Sequence, residues 1–203
     1  MKKIIFATSN EGKMKEIRMI LADSGMEILS LKEAGIYADI VENGHTFEEN
    51  AIIKAKTISE MTGELVLADD SGLEVDYLGG MPGICSARFM GENTSYHIKN
   101  NEIIDRLKEA AGAQRSARFV CAIAAAVPGG EIITTRATIE GEIGYSEEGE
   151  NGFGYDPILY VPEYGTTTAG LTPEQKNAIS HRGKALRLMK EELKRRGLLG
   201  ENA

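Results

Sequence analysis

Leu65-Val66-Leu67-Ala68-Asp69-Asp70-Ser71-Gly72 is a short apolar run closed by two acids, a hydroxyl and a glycine. It reads as a buried strand that stops at the acids, which puts two carboxylates at a strand's carboxyl end. Immediately upstream, Thr46-Phe47-Glu48-Glu49 predicts the start of a helix. The Thr46 hydroxyl caps the amide three residues on and Glu49 reaches back, in the reciprocal Thr-x-x-Glu box. That helix should run to about Thr62 and end at Gly63. Further back, the apolar, β-prone run Lys3 to Ala7 passes through Thr8-Ser9-Asn10-Glu11-Gly12 into a segment with Met14, Ile17, Ile20 and Leu21 at helical spacing. Strand, loop and helix therefore alternate along the first third of the chain.

Downstream, Asn93-Thr94 predicts another helix start, with Ile98, Ile103, Ile104 and Leu107 on the apolar side and Gly112 as the stop. Residues 117–127 and 131–139 flank Pro128-Gly129-Gly130 and read as an antiparallel hairpin in a mixed sheet. A glycine-rich loop, Gly149 to Gly154, leads into a short strand at 158–161. Thr172-Pro173-Glu174-Gln175 then supplies a second capping box with proline at the first helical position. Helix with an interruption near Ser180 should fill most of the remainder, and residues 200–203 read as a disordered tail. The fold class is α/β with a mixed sheet, and the 203 residues fit one domain.

Composition narrows the function. The formal charge is −8, from 23 Lys and Arg against 31 Asp and Glu, which argues against a broad basic footprint for nucleic acid. An anionic ligand must then meet local cations. The only cysteines, Cys85 and Cys121, are far apart and lack metal-ligand spacing, so a disulfide scaffold or zinc site is not expected. The charged start Met1-Lys2-Lys3 is followed by an apolar run too short for an export signal, and nothing approaches the ~20 apolar residues of a membrane helix. A soluble cytoplasmic protein without nucleic-acid or membrane partners is expected.

Several groups could carry chemistry. Thr8 to Lys13 combines free amides at a helix start, hydroxyls and a lysine, which suits phosphate oxygens. The same segment also reads as a capped helix with a surface lysine, and its spacing is not that of a Walker loop. At about 100° per residue, Lys54 falls within the apolar arc of Phe47, Ala51, Ala55 and Ile58, whereas Lys56 lies opposite. Its stem either snorkels along apolar surface or aims its ammonium into an anion pocket. Asp69-Asp70 suits a hard cation such as Mg²⁺, which needs only one or two carboxylates beside phosphate oxygens. A polar turn after a strand would look the same. Glu48, Glu74 and Asp76 read equally well as solvated surface. Gly152-Phe153-Gly154-Tyr155-Asp156 offers rings on which a base could stack, or loop anchors. Lys176, His181 and Arg182 would supply donors to purine carbonyl oxygens, which adenine's exocyclic amine would leave unpaired.

Six ordered segments carry a resemblance: Thr8-Ser9-Asn10-x-x-Lys13, Thr46-Phe47-x-Glu49-Asn50-Ala51-x-x-Lys54-Ala55, Ala68-Asp69-Asp70-Ser71-Gly72-Leu73, Gly79-Gly80-x-Pro82-Gly83, Gly152-Phe153-Gly154-Tyr155-Asp156-Pro157 and Lys176-Asn177-x-x-Ser180-His181-Arg182. Together they span about Lys3 to Leu193. The chain resembles the XTP/dITP diphosphatases, also called inosine triphosphate pyrophosphatases. The resemblance implies an elongated α/β fold with a long mixed sheet flanked by helices and two lobes, the nucleotide lying in the cleft between them, and a homodimer. It implies Mg²⁺-dependent hydrolysis of deaminated purine nucleoside triphosphates to monophosphate and pyrophosphate. By residue, Thr8, Ser9, Asn10, Glu11, Gly12, Lys13 and Lys54 would hold the triphosphate. Asp70 would accept a proton and bind Mg²⁺ with Glu42, and Ser71 would touch substrate. Phe153, Gly154, Tyr155, Asp156, Lys176, His181 and Arg182 would surround the base. Asp70, Lys13 and Lys54 are the expected catalytic set.

Two points depart from a simple mapping. Ser9 stands where many relatives have glycine, so its side chain must turn away from the phosphate or bond to it. Glu42 matches the family's metal-binding glutamate best, although Glu49 also lies within a motif. Two rivals stay open at this stage: a pyrophosphatase for other modified nucleotides, and a non-catalytic nucleotide-binding protein. A haloacid-dehalogenase-like phosphatase is disfavoured because its Asp-x-Asp pair is absent.

Overall fold

The computed structural model describes residues 3–199; the expected disordered tail, 200–203, lies outside them. The elements are β1 (Lys3–Phe6), α1 (Glu11–Ile20), β2 (Glu27–Ser30), α2 (Phe47–Thr62), β3 (Val66–Val75), α3 (Tyr96–Arg106), β4 (Ser116–Ala126), β5 (Ile132–Ile143), β6 (Leu159–Val161), β7 (Thr166–Thr167), α4 (Pro173–Ile179) and α5 (His181–Arg195). The strands form one seven-stranded mixed sheet in the order β2-β1-β3-β4-β5-β6-β7. β1 is parallel to β2 and β3, while β6 is antiparallel to β5 and β7. No helix among the described residues is long and apolar enough to cross a membrane.

Two compact units can be recognised. One comprises residues up to 70, 121–137 and the segment from 181 onward; the other comprises 71–120 and 138–180. β3, β4 and β5 each contribute to both.

In the first unit both faces of β1 are covered, which explains its continuous apolar sequence. Ile4 and Phe6 point one way, into a core with Met14 and Ile17 of α1 and Ala185, Leu186 and Met189 of α5. Ile5 and Ala7 point the other way, toward Ala51, Ala55 and Ile58 of α2. The i, i+4 spacing of Phe47, Ala51 and Ala55 is what lets α2 lie on the sheet. Its cap forms as expected, with the Thr46 hydroxyl accepting from Glu49 N at 3.1 Å. The Glu49 carboxylate, however, reaches one residue further back, to His45 N at 2.6 Å. Gly63 closes the helix with φ +69°, a left-handed conformation natural to glycine.

The second unit gathers Leu73, Val75, Ile103, Leu107, Phe119, Ile139 and Ile158 into its own core. Within it Arg115 is fully buried, and its guanidinium donates to the carbonyl oxygens of Leu107, Ala110, Ile143 and Gly144. Those four acceptors tie the end of α3 to the end of β5.

Three expectations are corrected. The acids do not end the strand at 65–68, since β3 continues through Asp69 and Asp70 to Val75. Asp-Asp-Ser-Gly has turn chemistry locally, but cations supplied by distant segments keep these residues extended. The third helix starts behind Ser95, whose hydroxyl accepts from Ile98 N, and it stops at Arg106 before the expected Gly112. Ile98 is exposed and does not belong to its apolar face. The interruption at Ser180 is present: Ser180 is extended between α4 and α5, and the Thr172/Gln175 box caps α4.

Candidate active site

At the start of α1, the Asn10 side chain accepts from Lys13 N at 3.0 Å, and the Thr8 hydroxyl accepts from Asn10 N at 3.1 Å. This ordered turn leaves the amides of Glu11 and Gly12 at a helix N-terminus, where no intrahelical acceptor can reach them. Ser9, Asn10 and Glu11 are exposed. Lys13 lies one turn on, and its ammonium is 2.9 Å from Asp69 Oδ2.

Asp69 and Asp70, neighbours on β3, point to opposite sides as strand geometry requires. Asp69 is fully buried and meets Lys13 and, at 3.4 Å, Arg182, which also binds Glu16. Asp70 meets α2 instead: Asn50 Nδ2 donates to its Oδ2 at 3.2 Å, and Lys54 Nζ lies 3.5 Å from its Oδ1. The same ammonium donates to Glu42 Oε2 at 3.0 Å. Glu42 reaches this point because residues 36–42 alternate, with Ile36, Ala38, Ile40 and Glu42 turned inward and Tyr37, Asp39 and Val41 outward. Asn50 reinforces the placement, since its Oδ1 accepts from Gly44 N at 2.8 Å. Sequence reading assigns Asn50 no role, although it stands four residues before Lys54 on the same helical face.

Lys54 is thus no snorkelling residue. Burial alone would lower the pKa of its ammonium, but Asp70, Asp69 and Glu42 outweigh that and raise it. Burial raises the pKa of the Asp70 carboxyl, with Glu42 adding to the effect against Lys54, Lys13 and Asn50. The causes differ: burial dominates for Asp70, and opposite charge dominates for Lys54. Four carboxylates, Glu16, Glu42, Asp69 and Asp70, share three cations, Lys13, Lys54 and Arg182. The surplus carboxylate belongs to the Asp70/Glu42 pair, and this donor set fits a hard divalent cation. Among the described residues no group of three or more His, Cys, Asp or Glu side chains could hold a metal. With two carboxylates, such an ion would draw most of its ligands from other oxygens. Glu49 is engaged at its helix cap.

In the second unit, Asp156 organises a separate cluster. Its Oδ2 accepts from Phe153 N at 2.8 Å and lies 2.6 Å from Lys176 Nζ, while its Oδ1 accepts from the Thr168 hydroxyl at 2.7 Å. The Lys176 ammonium also stands 5.0 Å from the centre of the Phe153 ring. Tyr155 is buried, donates its hydroxyl to Ser86 O at 2.6 Å and meets Tyr96 edge-on, so it anchors the loop. Gly152 is obligatory here: a Cβ would lie 2.2 Å from Asp156 Oδ2, and its φ is +74°. Gly152→Ala is therefore expected to displace Asp156 and Lys176 together and to lower the melting temperature by several degrees. A thermal melt checks this, and an unchanged melting temperature would remove the strict requirement for glycine.

Residues 4–192 match the model of the Ham1 family. The chain belongs to the Ham1 family. Relatives include a dITP/XTP pyrophosphatase of Bacillus licheniformis, 47% identical over 92% of this chain and 95% of that protein. Another, from Desulforamulus reducens, is 48% identical over 95% and 96% respectively. Among solved structures, the Staphylococcus aureus Ham1 protein superposes with a TM-score of 0.85 at 41% identity, covering 95% of this chain and 98% of that one.

The Ham1 motifs thus fall into two groups on the structure. The first unit brings together Thr8 to Lys13, Glu42, Lys54, Asp70 and the Arg182 pair, and also holds His181 at the start of α5. The second brings together Phe153, Gly154, Tyr155, Asp156 and Lys176, and Ser71 is its first residue. Arg182 is 2% exposed, with its terminal nitrogens engaged by Glu16 and Asp69.

Proposed function

We propose that this Ham1 chain hydrolyses deaminated purine nucleoside triphosphates, ITP, dITP and XTP, to the monophosphate and pyrophosphate, with Mg²⁺ as cofactor. The observation that carries the reading is Lys54 held between Asp70 and Glu42, in the unit that also presents Lys13 and a capped helix N-terminus. The names of its relatives point to the same reaction.

Asp70 and Glu42 would hold Mg²⁺, which when bound neutralises phosphate charge. Lys13, Lys54 and the amides of Glu11 and Gly12 bind phosphate oxygens and balance the charge that grows as the bond to pyrophosphate breaks. A water attacks in line with the departing pyrophosphate and gives its proton to an Asp70 carboxylate oxygen. Asp70 suits this role better than Asp69, which is fully buried and committed to Lys13 and Arg182. Arg182 enters as the group that holds Asp69 in place. At the base, the Phe153 ring offers a stacking face and Lys176 a donor to the C6 carbonyl oxygen. Ser71 lies one residue beyond Asp70 and would contact substrate. The protein would act in the cytoplasm as a homodimer, which light scattering on the purified protein tests.

The decisive assay is pyrophosphate release from ITP, XTP, ATP, GTP and dTTP, with Mg²⁺ and with chelator. Release from ITP and XTP at least a hundredfold faster than from ATP, abolished by chelator, is expected. Equal rates on all five would leave the base assignment without support, and no release at all would favour a nucleotide-binding protein.

A further inference from the structure

The second unit contains a residue that neither the motifs nor the reaction assigns. Asn100, in α3, is 1% exposed. Its Nδ2 donates to Gly154 O at 3.2 Å and to Glu147 Oε1 at 2.7 Å, so one amide group binds the loop between β5 and β6 at two points seven residues apart. The orientation is determined by its neighbours, because rotating the amide would press its oxygen against a carbonyl and a carboxylate. In this orientation Oδ1 is buried with no hydrogen-bond partner among the described residues. The two bonds from Nδ2 are therefore what ties this helix residue to the loop.

What that tie holds is visible in the loop. Gly154 has φ +65° and lies between Phe153 and Tyr155, a conformation with little intrinsic preference to hold it. Tyr155 is fixed by Ser86 and Tyr96, while the Phe153 amide donates to Asp156 and the Lys176 ammonium stands over its ring. The bond from Asn100 to the Gly154 carbonyl fixes the plane of the Gly154–Tyr155 peptide, so Asn100 holds the residue next to Phe153. Glu147, at the other end of the loop, is shared with His97 and Asn101 of the same helix. One face of α3 therefore clamps both ends of the segment.

We propose that Asn100 is a positioning residue for the base-recognition loop: by holding the Gly154 carbonyl and Glu147 it sets the attitude of the Phe153 ring and so the affinity for the purine. This rests on the functional reading above in assigning the base to Phe153. A residue that positions a group binding substrate and transition state alike affects KM and leaves kcat.

The test uses Asn100→Leu, with Asn100→Ser as the variant that adds no bulk should the leucine protein not fold. Expected are a KM for ITP raised tenfold or more, kcat within threefold of wild type, and an unchanged inhibition constant for inorganic tripolyphosphate, which has no base. The chain has no tryptophan, so Phe153→Trp supplies a single reporter of loop position. Its emission should shift to the red when Asn100→Leu is added, with no nucleotide present. Unchanged emission, an unchanged KM, or a tripolyphosphate constant that rises with KM would overturn the proposal. A red shift in a protein that cleaves no deaminated nucleotide would uphold the clamp and reject the functional reading instead.

Discussion

Asp70→Asn is expected to lower pyrophosphate release from ITP by about a thousandfold or more, while the protein folds normally. Removal of a general base commonly costs 10²- to about 10⁴-fold, and in the function proposed above Asp70 is also one of the two carboxylates that would hold the metal. Asparagine keeps the shape and offers its one oxygen to either Asn50 or Lys54, so the main loss would be chemical. Stability should behave differently from rate. The Asp70 carboxyl titrates above its ordinary range because of burial, so folding disfavours its ionised form. The sign follows from linkage. Below the unfolded-state pKa the group has no effect on stability, and the penalty grows as pH rises to the folded-state pKa and is complete above it. At neutral pH without metal, replacing the carboxylate removes that penalty, and Lys54 keeps Glu42 at 3.0 Å. The melting temperature in chelator should therefore not fall, whereas the rise that Mg²⁺ gives the wild type should shrink or vanish. Retention of a tenth or more of the wild-type rate would transfer the proton-accepting role to another group.

The contrast between Asp69 and Asp70 shows how far sequence reading carries. Local signals place Val66 to Ala68 in a buried strand, put Lys54 within the buried arc of α2 and locate the Thr46 cap and the Thr172/Gln175 box. Those features depend on neighbours within one or two turns. The continuation of β3 through two acids depends on Lys13, Lys54 and Arg182, which arrive from residues as far as 113 positions away. No local pattern predicts that. Asn50, quoted only as part of a motif, and Asn100 have no role legible in the sequence for a related reason: an asparagine in a helix is unremarkable until its partners, Asp70 and Gly44 or Gly154 and Glu147, are known. Glu42 was reachable through the resemblance, and the inward alternation of residues 36–42 supplies the physical account of its position.

Arg182 gives the largest expected effect on stability. The resemblance places it beside the base, yet its guanidinium lies 2% exposed between Glu16 and Asp69. Burial works against its charge, and the two carboxylates more than offset this, so it stays cationic throughout the accessible pH range. Arg182→Met would take from the buried carboxylates of Glu16 and Asp69 the guanidinium that they share. Breaking a buried pair from one side costs about 3–5 kcal/mol. At roughly 2–4 °C per kcal/mol for a chain of this size, the melting temperature should fall by about 6–20 °C. Adding Glu16→Leu should recover much of that loss, because removing both partners also removes the uncompensated charge. The double variant separates two roles. If Arg182 acts through Asp69, regained stability should bring back protein whose turnover remains low, since Asp69 then holds Lys13 without its second cation. If Arg182 contacts the base, the single variant should melt within about 2 °C of wild type and show the change in KM for ITP instead. Thermal melts of the three variants, each followed by kinetics on ITP, decide between these outcomes.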